Sequence, residues 1–217
     1  MAKKLMLYIG VLCLIVHSCQ KNELLYSCDP DVNQWILENK MMLAEIDRNT
    51  FAQVPMKKQI PLFRTFSPEQ KVKLWNEKIN LLIKFEYLSN DEKTHLLKLN
   101  NFLKPYHYSN QNGRDEFNLF ADEWEKYARE SLMWGDYELY IYSHTLLTEE
   151  EIYTLISSSE VGNRSVSPPG HPRPDCECLY DIYCAFGLQL CDKKSGCTTT
   201  YGGCGITGNS DCTGYCN

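Results

Sequence analysis

The sequence predicts a mainly α protein, a helical domain followed by a small disulfide-rich C-terminal module. Three observations predict it. Helix-start chemistry followed by apolar residues at helical spacing recurs five times between residues 29 and 158. A proline- and serine-rich stretch then interrupts the chain. Beyond it, eight of the eleven cysteines crowd into the last 42 residues, Cys176 to Asn217.

The N-terminus comes first. Lys3 and Lys4 precede an apolar run from Leu5 to Val16, followed by His17-Ser18-Cys19. At about 1.5 Å per residue, twelve residues span roughly 18 Å, short of a bilayer core of about 30 Å. Basic, apolar, then small is the order of a secretory leader rather than a membrane span. Val16-His17-Ser18-Cys19 resembles the lipobox of bacterial lipoproteins. That resemblance implies cleavage before Cys19, lipidation of Cys19 and a membrane partner through the lipid anchor. Several acyl chains hold stably where one is marginal. Gln20-Lys21-Asn22-Glu23 resembles the short Lys-plus-acidic signal of lipoproteins of the Bacteroidetes lineage, which implies an outer-membrane lipoprotein facing the cell exterior. The expected organisation is a leader over 1–18, a lipid-anchored tether over 19–28, a helical domain over 29–158, a linker over 159–175 and a cysteine-rich module over 176–217.

Within the helical domain, Asp29-Pro30 reads as an N-cap with proline at the first helical position, and Val32, Trp35, Ile36, Leu43 and Ile46 share one face. Ser67-Pro68-Glu69-Gln70 reads as a capping box, with Val72, Trp75, Ile79, Leu82 and Ile83 behind it. Ser89-Asn90-Asp91-Glu92 is a second box, leading to Leu96, Leu97 and Leu103 before Pro105. Asp115 opens a run with Phe117, Phe120, Trp124 and Tyr127. Thr148-Glu149-Glu150-Glu151 starts the fifth helix, with Leu147 and Ile152 placed as a hydrophobic staple. The likeness of the caps at Ser89 and Thr148 reads as convergence, since their 59-residue spacing matches no common repeat. Tyr137 to Tyr142 alternates briefly; with no partner strand in sight, loop rather than strand is expected there. From Ser157 to Asp175 four prolines within seven residues forbid regular helix, giving an extended and protease-accessible spacer.

Charge and motifs narrow the function classes. Loss of the leader's two lysines takes the formal charge from −6 to −8. With no basic patch, nucleic acid is not an expected partner, and attack on anionic membranes is disfavoured. Of the histidines His17, His95, His107, His144 and His171, the first leaves with the leader and the rest are scattered. No nucleophile elbow, His-Glu-x-x-His helix, phosphate loop or dinucleotide fingerprint is present, so neither an enzyme nor a cofactor is expected. Asp122, Glu123 and Glu125 with Lys126 and Arg129 read as a solvated helix face. Trp35, Trp75 and Trp124 read as core, and Trp134-Gly135 as a helix end.

Cys176, Cys178, Cys184, Cys191, Cys197, Cys204, Cys212 and Cys216 are the expected disulfide cysteines. About a fifth of that segment is cysteine, beyond the roughly 8–10 % that marks a disulfide scaffold. Zinc is the competing staple, but the close pair Cys176-Glu177-Cys178 lacks zinc-ligand spacing, and an exported address favours oxidation. Eight cysteines allow 105 pairings. Cys28 is left over, as a small buried hydrophobe or as a thiol beside a helix N-terminus.

The cysteine spacing, the opening Cys-x-Cys and Gly203-Cys204-Gly205 resemble fulvocin C, a small cysteine-rich bacteriocin. The whole chain is similar to the bacteriocin fulvocin C-related proteins, lipoproteins with a helical region ahead of such a tail. The resemblance implies an exported lipoprotein carrying a disulfide-stapled, bacteriocin-like module antagonistic to other bacteria. Its target would be a protein or another cell-envelope component, with cleavage in 157–175 freeing the tail. Two other classes fit the same residues. One is a surface recognition lipoprotein for protein or glycan, using Tyr180, Tyr183, Phe186, Tyr201 and Tyr215; the other is a purely structural tail.

Overall fold

The computed structural model describes residues 25–27, 29–159, 191–192, 203, 205–209 and 215–216. The leader, Cys19, Cys28, the segment 160–175, and Cys176, Cys178, Cys184, Cys197, Cys204 and Cys212 lie outside the described residues. Cys191 and Cys216 are described in their backbone alone.

The described protein is mostly helical. Its α-helices are α1 (Pro30–Asn39), α2 (Arg48–Ala52), α3 (Met56–Thr65), α4 (Pro68–Leu82), α5 (Asn90–Phe102), α6 (Gln111–Glu130), α7 (Asp136–Leu139) and α8 (Glu149–Ser159). A 3-10 turn at Pro105–Tyr108 precedes α6, and a π-helix, Tyr140–His144, continues directly from α7. No described helix is long and apolar enough to cross a membrane.

Local chemistry starts these helices where the capping residues stand. Asp29 accepts from the backbone N–H groups of Asp31 and Val32. Ser89 and Glu92 close a reciprocal box, as do Thr148 and Glu151. Leu147 and Ile152 are both buried. At Ser67 only half of the expected box forms. Its hydroxyl accepts from the Gln70 N–H at 3.1 Å, but the Gln70 amide reaches back to the Ile46 carbonyl at 2.6 Å. That bond fixes α4 against the segment leading into α2.

Four expectations about the helices are corrected. The first helix ends at Asn39, whose side chain turns back to the Trp35 carbonyl at 2.7 Å. Leu43 and Ile46 therefore sit in the connection after it, partly buried against the core. The fourth helical run opens at Gln111 under an Asn110 cap, four residues before Asp115. Tyr137 to Tyr142 belongs to α7 and the π-helix, neither loop nor strand. The serine run 157–159 is the end of α8, so it is helical backbone rather than spacer.

One continuous core runs through the helices. Trp75, Ile79 and Leu82 of α4, Leu96 and Leu99 of α5, Phe117 and Trp124 of α6, and Leu139 and Ile141 are nearly or fully buried in it. Trp35 is only partly buried and carries the Lys58 ammonium over its ring at 4.2 Å. Just past α6, Met133 stands at φ 58° and the Trp134 N–H donates to the Ala128 carbonyl at 3.0 Å, closing the helix end one residue wider than a Schellman motif and without glycine. Arg129 pairs with Glu125 and Asp136, both at 2.7 Å, on the expected solvated face.

Beyond the helices, Cys191–Asp192 and Tyr215–Cys216 pair antiparallel, with Cys191 opposite Cys216. Between them, Ile206–Gly208 forms a 3-10 turn that packs against the π-helix.

Candidate functional site

The arrangement with functional content is the contact between the residues around Ile206 and the helical domain. Its walls come from four places in the chain. Helix α3 supplies Ile60, Phe63 and Arg64, and α4 supplies Lys71 and Trp75. The 3-10 turn supplies Tyr108, and the end of the π-helix supplies His144 followed by Thr145.

Aromatic packing builds the floor. Phe63 meets Phe51, Phe66 and Tyr108 edge-on, with centroids 6.3, 6.2 and 6.2 Å apart. Such pairs contribute about 0.5–1.5 kcal/mol each beyond area burial. Lys71, 7 % exposed, lays its ammonium over Phe63 at 5.4 Å and Tyr108 at 5.6 Å. Burial pushes its pKa down to about 8, and the neighbouring Arg64 charge adds to the shift. The Arg64 guanidinium donates to the Tyr26 carbonyl, tying the segment before α1 to the wall.

The π-helix wall is held from below by a buried lysine. Lys78 of α4 is fully buried, and its ammonium donates to the carbonyls of Ile141 and Thr145 and lies 3.3 Å from the Thr145 hydroxyl. A π-turn leaves carbonyls off the normal ladder, and this lysine satisfies that of Ile141 and, just past the turn, that of Thr145. Burial holds its pKa well below the ordinary lysine value. Arg48, also buried, donates to the Leu147 carbonyl and so fixes the far side of the same segment.

Against these walls lies a loop that closes on itself. The Gly203 N–H donates to the Gly208 carbonyl at 2.8 Å, and the Gly208 N–H to the Gly205 carbonyl at 3.0 Å. Closure takes positive φ at Gly203 (102°), Gly205 (69°), Thr207 (53°) and Gly208 (66°). Three of these residues are glycines, for which that region is free; Thr207 is β-branched and strained there. Ile206 is 6 % exposed, and Thr207 and Asn209 are fully buried. Tyr108 donates its hydroxyl to the Thr207 carbonyl at 2.7 Å, across 99 residues of sequence.

Both outer glycines sit where a side chain has no room. A Cβ on Gly203 would stand 2.6 Å from Ile60 Cγ2, and one on Gly208 would stand 2.8 Å from Phe63 Cε1. The remaining cleft, about 30 Å³, has room for a water or two and for no organic substrate.

Little else among the described residues offers chemistry. His95 is buried in an aromatic box, stacked on Trp124 at 4.3 Å with Tyr127 at 5.0 Å and Trp134 edge-on at 5.6 Å. Neither of its ring nitrogens has a hydrogen-bond partner. His107 accepts the Lys104 N–H on Nδ1 at 3.1 Å, so its proton is on Nε2, 4.0 Å from a Glu116 oxygen. His144 lies 3.0 Å from the Ser143 hydroxyl, but that hydroxyl is buried and donates to the Leu139 carbonyl at 2.9 Å. It is a helix-internal bond rather than a nucleophile and base. No group of three or more His, Cys, Asp or Glu side chains that could hold a metal occurs among the described residues.

Of the residues the sequence marks for lipid or disulfide chemistry, the structure relates Cys191 and Cys216 alone, through backbone register. The cradle residues Ile60, Phe63, Arg64, Lys71 and Tyr108 carry no motif. Their signal was weak but present: Lys71 and Lys78 fall in phase with Leu74, Trp75 and Leu82 on the buried stripe of α4, where a lysine is out of place. Compared with known proteins, the chain matches no family model, no curated protein and no solved structure.

Proposed function

We propose that this chain is an exported bacterial lipoprotein of the cell envelope whose helical domain holds a disulfide-stapled tail of bacteriocin type. The observation that carries the reading is the seating of Gly203 and Gly205–Asn209, within the cysteine-rich tail, in the aromatic and cationic cradle of the helical domain. The lipobox-like end of the leader supports the address at the outer membrane, with Cys19 as the lipid anchor. The crowding of cysteines supports oxidation and four bridges. Cys191 and Cys216 are favoured as one of them. They are antiparallel Cα partners, and such partners stand about 4.5–5.5 Å apart, inside the roughly 4.4–6.8 Å that a disulfide spans.

On this reading the tail is the active part, directed at a protein or another component of a competitor's envelope. Intact-mass spectrometry with and without reductant tests the chemistry. A gain of eight hydrogens on reduction and a lipid mass on Cys19 support it; retained zinc, or eight free thiols in the native protein, contradict it. Addition of the oxidised mature protein to neighbouring strains, and growth in contact with producing cells, tests the activity. Inhibition by neither route removes the antagonistic reading and leaves a recognition or structural tail.

A further inference from the structure

We infer that the helical domain is a receptor for the Gly203–Asn209 loop, so that a cut in the segment 160–175 leaves the tail bound instead of releasing it. The inference rests on the proposed reading only for its consequence, that linker cleavage by itself does not free an active tail.

The two partners lie on opposite sides of the cut. Every wall of the cradle is upstream of residue 147, and the loop is downstream of residue 202. None of the contacts named above passes through 160–175, so breaking a peptide bond there removes none of them. What the cut removes is the tether, which keeps the loop at high effective concentration and adds no contact of its own.

The loop has the properties of a ligand. Two internal backbone hydrogen bonds and four left-handed residues hold its shape from within, and a loop held in this way loses less conformational entropy on seating. It presents one aliphatic side chain, Ile206, to the core and one carbonyl, that of Thr207, to the Tyr108 hydroxyl. The cradle also discriminates. Ile60 and Phe63 close in until only glycine fits at 203 and 208, which restricts the partner to a loop with glycine at both of these positions. The partner the surface fits is thus this chain's own tail, in place or, once the cradle is emptied, a tail from another copy. Anchored at Cys19, the helical domain would then compete with any outside target for the loop.

The experiment uses the mature, oxidised full-length chain in detergent, with a specific protease site inserted in 160–175 and cut to completion. Gel filtration at micromolar concentration reads whether the tail fragment travels with the helical fragment. The expected result is co-elution as a one-to-one pair. Tyr108→Phe is expected to weaken retention about tenfold, the loss of one buried hydrogen bond, and Gly208→Val to abolish it. Circular dichroism of each uncut variant shows that the helices are intact, and Tyr108→Phe, which changes one atom, guards against a folding failure at Gly208. Separation of the fragments in the unsubstituted protein overturns the inference. So does retention that neither substitution weakens, since the tail would then be held elsewhere. Growth inhibition is scored apart from retention: a tail that binds the cradle and inhibits nothing removes the antagonistic reading and leaves the receptor.

Discussion

Acid should loosen the helical domain through His95. The side chain is 2 % exposed, stacked on Trp124, and among the described residues neither ring nitrogen has a partner at normal hydrogen-bond geometry. Burial pushes its pKa down to about 4, against the Trp124 backbone, which favours the charged ring, and with the nearby Lys98 charge. A charged imidazolium over tryptophan gains about 0.5–2 kcal/mol from the ring, but its two N–H groups would need an acceptor each, and among the described residues of the box the Trp124 backbone alone favours the charge, too little to offset burial. Unfolded, the residue titrates near 6.5. Between pH 6.5 and 4 the unfolded chain binds the extra proton, so this contribution to stability is present above the window and is lost as pH falls through it. From pH 7 to pH 5 the loss comes to about 2 kcal/mol, and across the full window to roughly 3 kcal/mol. His95→Phe keeps a ring in the stack and removes the titration. Urea unfolding of the mature chain and the variant at pH 7 and pH 5 measures the difference, with carboxylates common to both cancelling. The variant should lose about 2 kcal/mol less than the parent on acidification; equal losses would refute the reasoning.

Lys78→Met keeps the length of the side chain but leaves the Thr145 carbonyl without this donor and the Ile141 carbonyl with the Thr145 hydroxyl at 3.4 Å. Replacing a buried charge by an apolar group can be neutral, but two acceptors that lose their ammonium donor decide the sign here. We expect a loss of about 3 kcal/mol and a fall in Tm on the order of 10 °C, and a shift below about 2 °C in a thermal melt would contradict that role. Gly113→Ala should destabilise despite the better helix propensity of alanine, worth about 1 kcal/mol. Its Cβ would stand 2.3 Å from the Tyr106 carbonyl oxygen, a backbone atom that cannot step aside. A raised Tm would show that the 3-10 turn yields there.

The legible parts of the fold were those written in local chemistry. The caps at Asp29, Ser67, Ser89 and Thr148 each announce a helix within four residues, and the apolar stripes behind them name Trp75, Ile79, Leu96 and Trp124 as core. Helix α3 was harder to see because Pro61 falls inside it and Lys57-Lys58 obscure its stripe. Helix α6 starts four residues ahead of the Asp115 that the sequence favours, and Gly113, a helix-weakening residue by propensity, lies between the two. The structure gives that glycine a reason, the close approach of Tyr106. The π-helix has no local signature, since it depends on a lysine more than 60 residues upstream. The cradle was illegible for the same reason. Tyr108 and Thr207 are 99 residues apart, and the glycines at 203, 205 and 208 read as turn residues of a separable module rather than as the points where two parts of the chain touch.

That contact is the centre of the account, and nuclear Overhauser spectroscopy on the oxidised mature chain tests it most directly. The account predicts cross-peaks from the ring protons of Phe63 and Tyr108 to the Gly208 α-protons and the Thr207 and Ile206 side chains, with loop amides protected from exchange. A native, helical protein that shows none of these cross-peaks, and whose loop amides exchange as fast as those of a free peptide, would contradict it.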